Sequence, residues 1–311
     1  MINRTFVVKV FIICTFCVFY SCNKSTSKDA SIDKNSTLFI SDTLRVESEN
    51  PQITAYRTHI NSLDSTKAES ATLALQEFKR VFAGKSTGLC DSAYIALQEL
   101  IDTVELKLND KLEVDTTDYS AFYTDAKIPK KLELAQKALQ KDGFKFATSE
   151  GTVYIEQDRS YVTKNLLTFF SQPMQSYLLQ IEKENREGFM EDAGIVISPR
   201  QHVDRIIWYE KFIAENSDFI LIKNCKTYRK AYLTYLMTGI DNTYLYDFDE
   251  DMKLMPYFVQ SYEYLLKTYP DSEAATLILP YKQAIEQKQK SVVQELLKKY
   301  VIKGLIYSQG I

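Results

Sequence analysis

Three aspartates at alternate positions, Asp247, Asp249 and Asp251 in DFDEDMKLMPYF, have the type and spacing to hold a cation. Carboxylates at positions 1, 3 and 5 open a calcium-binding EF-hand loop, whose sixth residue must be Gly and whose twelfth is a bidentate Glu. Here those positions are Met252 and Phe258, which excludes an EF-hand. A looser cation loop remains as the chemical reading, and a solvated acidic loop as the plain one. A second acidic group, EKENREGFMED, gathers Glu182, Glu184, Glu187, Glu191 and Asp192. Paired carboxylates across a cleft can run acid/base chemistry on glycosides. The spacing of Glu187 and Glu191 beside Lys183 and Arg186 favours instead a salt-bridged solvent face of a helix.

His59 and His202 are the only histidines, and neither has a Cys, His or acidic neighbour at metal-ligand spacing. His202 is expected to serve as a capping or surface residue. The chain contains no G-x-S-x-G, no Walker loop and no H-E-x-x-H, so hydrolase, nucleotide and zinc-protease readings lose their main support. The sequence leans away from an enzyme and implies no catalytic residue, no metal and no cofactor. Aromatic residues are the remaining candidates. Tyr228, Tyr232 and Tyr235 share one face of a helix, with Trp208, Tyr244 and Tyr246 nearby. Packing between helices is the commoner use of such a stripe. Where exposed, tyrosine and tryptophan give large contact area with few torsions to freeze, the property of partner-binding residues.

The elements that position these residues are mostly helical. With 9 Gly and 7 Pro in 311 residues, long stretches run without a breaker. ATLALQEFKRVF places Leu73, Leu75, Phe78, Val81 and Phe82 largely on one side of a helix, and DSAYIALQELIDTVELKL does so with Ile95, Leu97, Leu100, Ile101, Val104 and Leu108. In SPRQHVDRIIWYEKFI, Ser198 is a good N-cap, Pro199 suits the first helical position, and Gln201 completes a capping box. The spacing predicts a helix over residues 199–214. FKFATSEGTVYIEQ instead alternates on both sides of Glu150-Gly151, the pattern of a β-hairpin at about 144–157.

A repeat of period 53 pairs Tyr209 with Tyr262, Glu210 with Glu263, Asp218 with Asp271, Tyr228 with Tyr281 and Ala231 with Ala284. Each copy reads as a helical hairpin with its turn at ENSD or YPDS, where Asp271 or Ser272 can cap the second helix. Such a hairpin cannot bury its apolar face alone, so neighbours must stack. Pro280 is expected to interrupt the last helix of the second copy. Residues 239–256 read as a polar, turn-rich loop between the copies.

The first 22 residues address the chain. Arg4 and Lys9 precede an uncharged apolar run over residues 10–20, shorter than the roughly 20 residues of a membrane span and fitting for a secretory signal. The stretch NKSTSKDASIDKNST after Cys22 is too polar to fold and reads as a flexible tether. Without the signal, 36 basic residues stand against 41 acidic ones, a net charge of −5. Lacking a basic block, the chain shows no footprint for nucleic acid. Cys90 and Cys225 are the only other cysteines beyond Cys22 and the signal; a disulfide and two buried thiols both remain open.

The signal ending in Ser21-Cys22 resembles the lipobox of bacterial lipoproteins, with Phe19 and Tyr20 where Leu and a small residue are commoner. The resemblance implies that Cys22 becomes the first mature residue and carries the lipids. Asn23 lacks the Asp that resembles an inner-membrane retention mark, so the implied address is the outer membrane of a Gram-negative envelope. The YPDS turn followed by Ala274 resembles the joints of tetratricopeptide-repeat lipoproteins, although the period is not 34 and W-x-x-L-G-x-x-Y is missing. Residues 143–287, through EGTVYIEQD, REGFMEDAGIVISP, WYEKFI, GIDNTYLYDFD and YPDS, resemble a set of bacterial proteins without established activity.

The expected architecture is mainly α: packed, irregular, tetratricopeptide-like helical hairpins with one small β-hairpin. It comprises a signal peptide (1–21), a tether (22–50), an N-terminal helical region (51–142) and a helical-hairpin region (143–311). The expected function is a membrane-anchored envelope lipoprotein acting as a helical protein-binding or scaffold module, held by its lipid and engaging an envelope protein. The alternative is an envelope glycan-binding or glycan-processing lipoprotein with acidic residues in a cleft.

Overall fold

Long amphipathic stretches with few breakers become helices here, as their spacing predicts. The computed structural model describes residues 50–248 and 250–308; the signal, Cys22 and the tether lie outside them. Helices α1 (Pro51–Asn61), α2 (Glu69–Phe82) and α3 (Thr87–Glu113) pack on one another and lead to α4 (Lys130–Lys141). On α2 the buried face is Ala71, Ala74, Leu75, Phe78 and Phe82, whereas Leu73 is exposed. Small alanines take the inner positions that a reading by side-chain size gives to Leu73. The core begins with Tyr56, Phe78 and Phe82 in edge and tilted ring contacts, and Tyr56 donates its hydroxyl hydrogen bond to Ala74 O at 3.1 Å.

Strands β1 (Phe144–Ser149) and β2 (Thr152–Gln157) form the expected hairpin, with Phe144 opposite Gln157 and Ser149 opposite Thr152. The two-residue turn has φ of 51° at Glu150 and 73° at Gly151, the positive pair that matches the right-handed twist of the strands. A lone hairpin is marginal in water, and flanking helices supply what its edges lack. Asn109 of α3 takes both backbone groups of Ile155, accepting from its N at 2.8 Å and donating to its O at 2.7 Å. Gln136 of α4 accepts from Phe146 N on the opposite edge at 3.1 Å. Backbone groups on both edges are thereby partnered by helical side chains rather than left for another strand.

The chain continues through α5 (Ser160–Leu166) and α6 (Gln172–Glu187) to a short hairpin of β3 (Met190–Glu191) and β4 (Gly194–Ile195). Then come α7 (Pro199–Glu215) and α8 (Ile222–Thr238), a second short hairpin of β5 (Gly239–Ile240) and β6 (Thr243–Tyr244), and α9 (Pro256–Thr268), α10 (Glu273–Glu286) and α11 (Lys290–Ile302). The protein is thus mainly helical, with three small antiparallel hairpins among the described residues rather than one. Strands of two residues are too short for alternation to reveal them. None of the described helices is long and apolar enough to cross a membrane.

The capping box predicted for α7 is present in full, with Ser198 Oγ accepting from Gln201 N at 3.2 Å and Gln201 Oε1 accepting from Ser198 N at 3.0 Å. The repeat has a geometric counterpart. Asn216, which ends α7, has φ −132° and ψ 54°, and Tyr269, which ends α9 at the equivalent place, has φ −131° and ψ 52°. The following bonds correspond too: Phe219 N donates to Asn216 O, and Ser272 N donates to Tyr269 O. Tyr209 and Tyr262 are both fully buried, and their hydrophobic neighbours Phe212 and Leu265 are buried with them. Ser272, not Asp271, caps α10 by accepting from Ala275 N.

Pro280 does not interrupt α10, which runs through it. A proline removes the donor for the carbonyl four residues earlier and crowds that turn. Thr276, whose carbonyl loses its donor, lies at the exposed face, and the neighbouring Leu277 carbonyl accepts from Tyr300 of α11 at 3.0 Å. The one carbonyl freed by the proline thus belongs to an exposed residue, where the lost helical bond costs least. One continuous hydrophobic core, from Ile53 to Ile306, joins the two helical regions.

Candidate functional site

The acidic group of α6 turns inward. Glu184 of this group is buried, and its Oε2 accepts from Tyr232 Oη at 2.7 Å and Tyr209 Oη at 3.2 Å. Its Oε1 accepts from Gln180 Nε2 at 2.6 Å. Beside it lies buried Arg205, which donates to Tyr232 Oη at 3.2 Å, to Glu187 Oε2 at 3.0 Å and to Gly188 O at 2.7 Å. Burial raises the Glu184 carboxyl above its ordinary range, against the Arg205 charge and the tyrosine hydroxyls that favour the ionised form. Gly188, at φ 70°, ends α6, so Glu191 falls on β3 and not on the helical face of Glu187. Glu182 accepts from Thr163, and Glu191 accepts from Glu150 N. These carboxylates brace α6 against α7, α8 and neighbouring turns; they do not form a pair across an open cleft.

His202 is also interior, with no exposed surface, and not a surface cap. Its Nε2 lies 2.9 Å from the Tyr232 carbonyl oxygen and so must donate, and its Nδ1 lies 3.1 Å from Tyr257 Oη. Burial lowers the ring's pKa to about 4, and in the neutral ring Nδ1 is then the acceptor. His202 thereby ties α7 to α8 and α9 in a fixed protonation state at neutral pH.

A second polar group joins α3 to β2. Tyr94 Oη donates to Gln98 Oε1 at 2.7 Å; Gln98 Nε2 donates to Asp102 Oδ1 at 2.6 Å and to Gln157 Oε1 at 3.0 Å. Glu105 Oε2 accepts from Gln157 N at 3.3 Å. Burial pushes Glu105 up to about 7, with Arg159 opposing and Asp102 adding to the shift. Burial raises Asp102 as well, against the same Arg159. Sequence reasoning misses this seam, whose only signal is the 98, 102, 105, 109 spacing of polar residues on one face of an otherwise apolar helix.

The predicted aromatic residues divide. Tyr232 and Tyr235 are buried, so this part of the stripe packs inside: Phe189 lies edge to face with Tyr232 at 4.8 Å and tilted on Tyr235 at 5.5 Å. Tyr228 is half-buried and stacks on Tyr209, and Trp208 stacks on Phe212 at 4.8 Å. Tyr246 is half-buried too. Only Tyr244 of the six is exposed, and it stands edge to face with Phe248 at 4.4 Å. Phe248 retains 80% of its surface exposure, an unusual setting for a phenylalanine that other aromatics could have covered.

The backbone beneath this pair is firmly built. Asp247 N donates to Lys253 O at 2.8 Å and Met255 N donates to Leu245 O at 2.9 Å, while Tyr246 bridges Leu254. Leu245 and Leu254 are buried and anchor the excursion, leaving Phe248, Glu250, Asp251 and Met252 at its tip. The hairpins on either side of α7 and α8 dock on each other: Asn242 N donates to Ala193 O at 2.9 Å, and Ile195 N donates to Thr243 Oγ1 at 2.8 Å. The β3–β4 turn has positive φ at Asp192 (46°) and Ala193 (50°) without a glycine, a conformation costing roughly 1 to 2 kcal/mol per residue. Asn242 compensates by donating to both the Asp192 and Ala193 carbonyls.

The aspartates of the loop face lysines. Asp247 Oδ2 lies 3.8 Å from Lys253 Nζ, and Asp251 Oδ1 lies 2.7 Å from Lys290 Nζ; Asp249 lies outside the described residues. Among the described residues no group of three or more His, Cys, Asp or Glu is placed to hold a metal. Cys90 and Cys225 are both buried free thiols, which settles the pairing left open by the sequence. Burial raises the Cys225 thiol to about 12, so it stays protonated and unreactive. No protein-family profile matches the chain, and no curated protein or solved structure is similar to it.

Proposed function

We propose that this protein is a membrane-anchored envelope lipoprotein whose helical body acts as a protein-binding or scaffold module, with its contact surface at the end built by residues 189–196 and 239–255. One observation carries the reading: the edge-to-face pair of Tyr244 and Phe248, exposed by 43% and 80%, stands on a braced excursion of a rigid helical body. Exposed aromatics held by a well-bonded backbone lose little entropy on binding, which is the physics of a contact hot spot. Met190 and Val196, at the neighbouring hairpin, are exposed as well. The carboxylates that could have favoured glycan chemistry are engaged with Tyr209, Tyr232, Arg205 and Thr163 inside the fold.

The anchor rests on the resemblance of residues 1–22 to a lipoprotein signal, and the outer membrane on Asn23 after the Cys. The test is photo-crosslinking in intact cells, with p-benzoylphenylalanine in place of Phe248, followed by detergent extraction and mass spectrometry. A reproducible protein adduct is the expected result. Adducts consisting only of glycan or peptidoglycan fragments, or no adduct at all, overturn the scaffold reading.

A further inference from the structure

The charge of this protein is unevenly placed. The described residues of 189–196 and 239–255, which build the end that carries Tyr244 and Phe248, contain six carboxylates and one lysine. This end accounts for the whole net charge of −5 carried by the chain without its signal, and leaves the remainder close to neutral. Glu191, Asp192, Asp241 and Glu250 are exposed, and the single Lys253 is shared between Glu250 at 2.6 Å and Asp247 at 3.8 Å. An excess of carboxylates around an apolar centre raises a local field of one sign, which accelerates encounter with an opposite surface and repels a like one.

From this pairing of an apolar centre with an acidic rim, and resting on the scaffold reading above, we infer that the partner presents a basic protein face. That face is an apolar cleft rimmed by Lys and Arg, into which Phe248 inserts and against which Tyr244 packs. A membrane surface does not fit the same site. Anionic lipid headgroups are repelled by the carboxylates that would have to enter the headgroup layer with Phe248, since protein binding there relies on basic residues. The charges also fit a contact that forms quickly and responds to salt, because most of the rim is exposed and screened beyond a Debye length of about 8 Å at physiological ionic strength.

The test uses the full chain in its own cells with the same photoreactive residue at position 248, and adds Asp241→Lys and Glu250→Lys. Neither carboxylate belongs to the core, so folding is unaffected, and a thermal melt of each purified variant confirms it. The expected result is a peptide adduct mapping to a Lys/Arg-rich stretch of the partner. Its yield is expected to fall at least tenfold with both reversals, and likewise when salt permeating the envelope is raised from about 50 to 300 mM. An adduct on an acidic or uncharged stretch, or a yield indifferent to the reversals and to salt, overturns the basic partner and leaves the scaffold reading standing. Lipid adducts in place of protein ones overturn both in favour of a membrane contact, and the absence of any adduct overturns both outright.

Discussion

Replacing Glu105 by Gln is expected to stabilise the protein at pH 8 and to leave it nearly unchanged at pH 4.5. Glu105 sits half-buried where α3 meets β2, accepting from Gln157 N. Burial lifts its pKa from an ordinary 4.5 to about 7. A group that holds its proton more tightly in the folded chain than in the unfolded one contributes stability that is complete below the unfolded value. That contribution is lost as pH rises through the folded one. Between those values the folded chain binds more protons, so stability must fall as pH climbs from about 4.5 past 7. At about 1.4 kcal/mol for each pH unit separating the two values, the interval is worth about 3 kcal/mol, with the attraction of Arg159 for the charged form already counted in it. Gln has the same shape, keeps an acceptor for Gln157 N and carries no charge at any pH. The assay is urea denaturation of both proteins at pH 5, 6, 7 and 8, comparing midpoints at equal slope. A difference that stays flat across this range, or a Glu105→Gln variant less stable than its parent at pH 8, refutes the assignment of buried charge to Glu105.

Arg205→Ala leaves Glu184 and Glu187 without their cation in the interior and is expected to cost about 3 to 5 kcal/mol, read as a large fall in melting temperature; a loss under about 1 kcal/mol contradicts the network. Asp247→Asn with Asp251→Asn removes two loop carboxylates whose lysine contacts are largely exposed, and is expected to shift stability by under about 1 kcal/mol. A larger loss, or stabilisation of the parent by calcium, would restore the cation-loop reading. Cys22→Ala is expected to move the protein from the membrane fraction to the soluble one, and continued lipid labelling of that variant would remove the anchor.

Much of the fold is legible because the signals are local. The α7 capping box, the Glu150-Gly151 turn and the helical spacing of α3 each depend on residues within a few positions of one another, where bond geometry leaves few choices. The repeat is legible for a related reason: Asn216 and Tyr269 end their helices with the same backbone angles because similar helices meet similar turns. Pro280 misleads a reading by sequence because the cost of a proline inside a helix depends on where the freed carbonyl lies, and that of Thr276 belongs to an exposed residue of α10.

The candidate sites are much less legible. A glutamate in a charged stretch such as EKENREGFMED looks solvated until Tyr209, Tyr232 and Arg205 arrive from two later helices, at separations that no spacing rule covers. The same holds for His202, whose neutral form is set by burial and whose protonated nitrogen is set by the Tyr232 carbonyl. Sequence alone determined that the chain is helical and where several helices start and stop, because propensity and capping are properties of neighbouring residues. Tertiary structure alone decided which tyrosines are buried and which remain exposed. A helical stripe has one period whether it faces a core or a solvent, and only the packing of α6, α7, α8 and the docked hairpins determines which side each tyrosine meets.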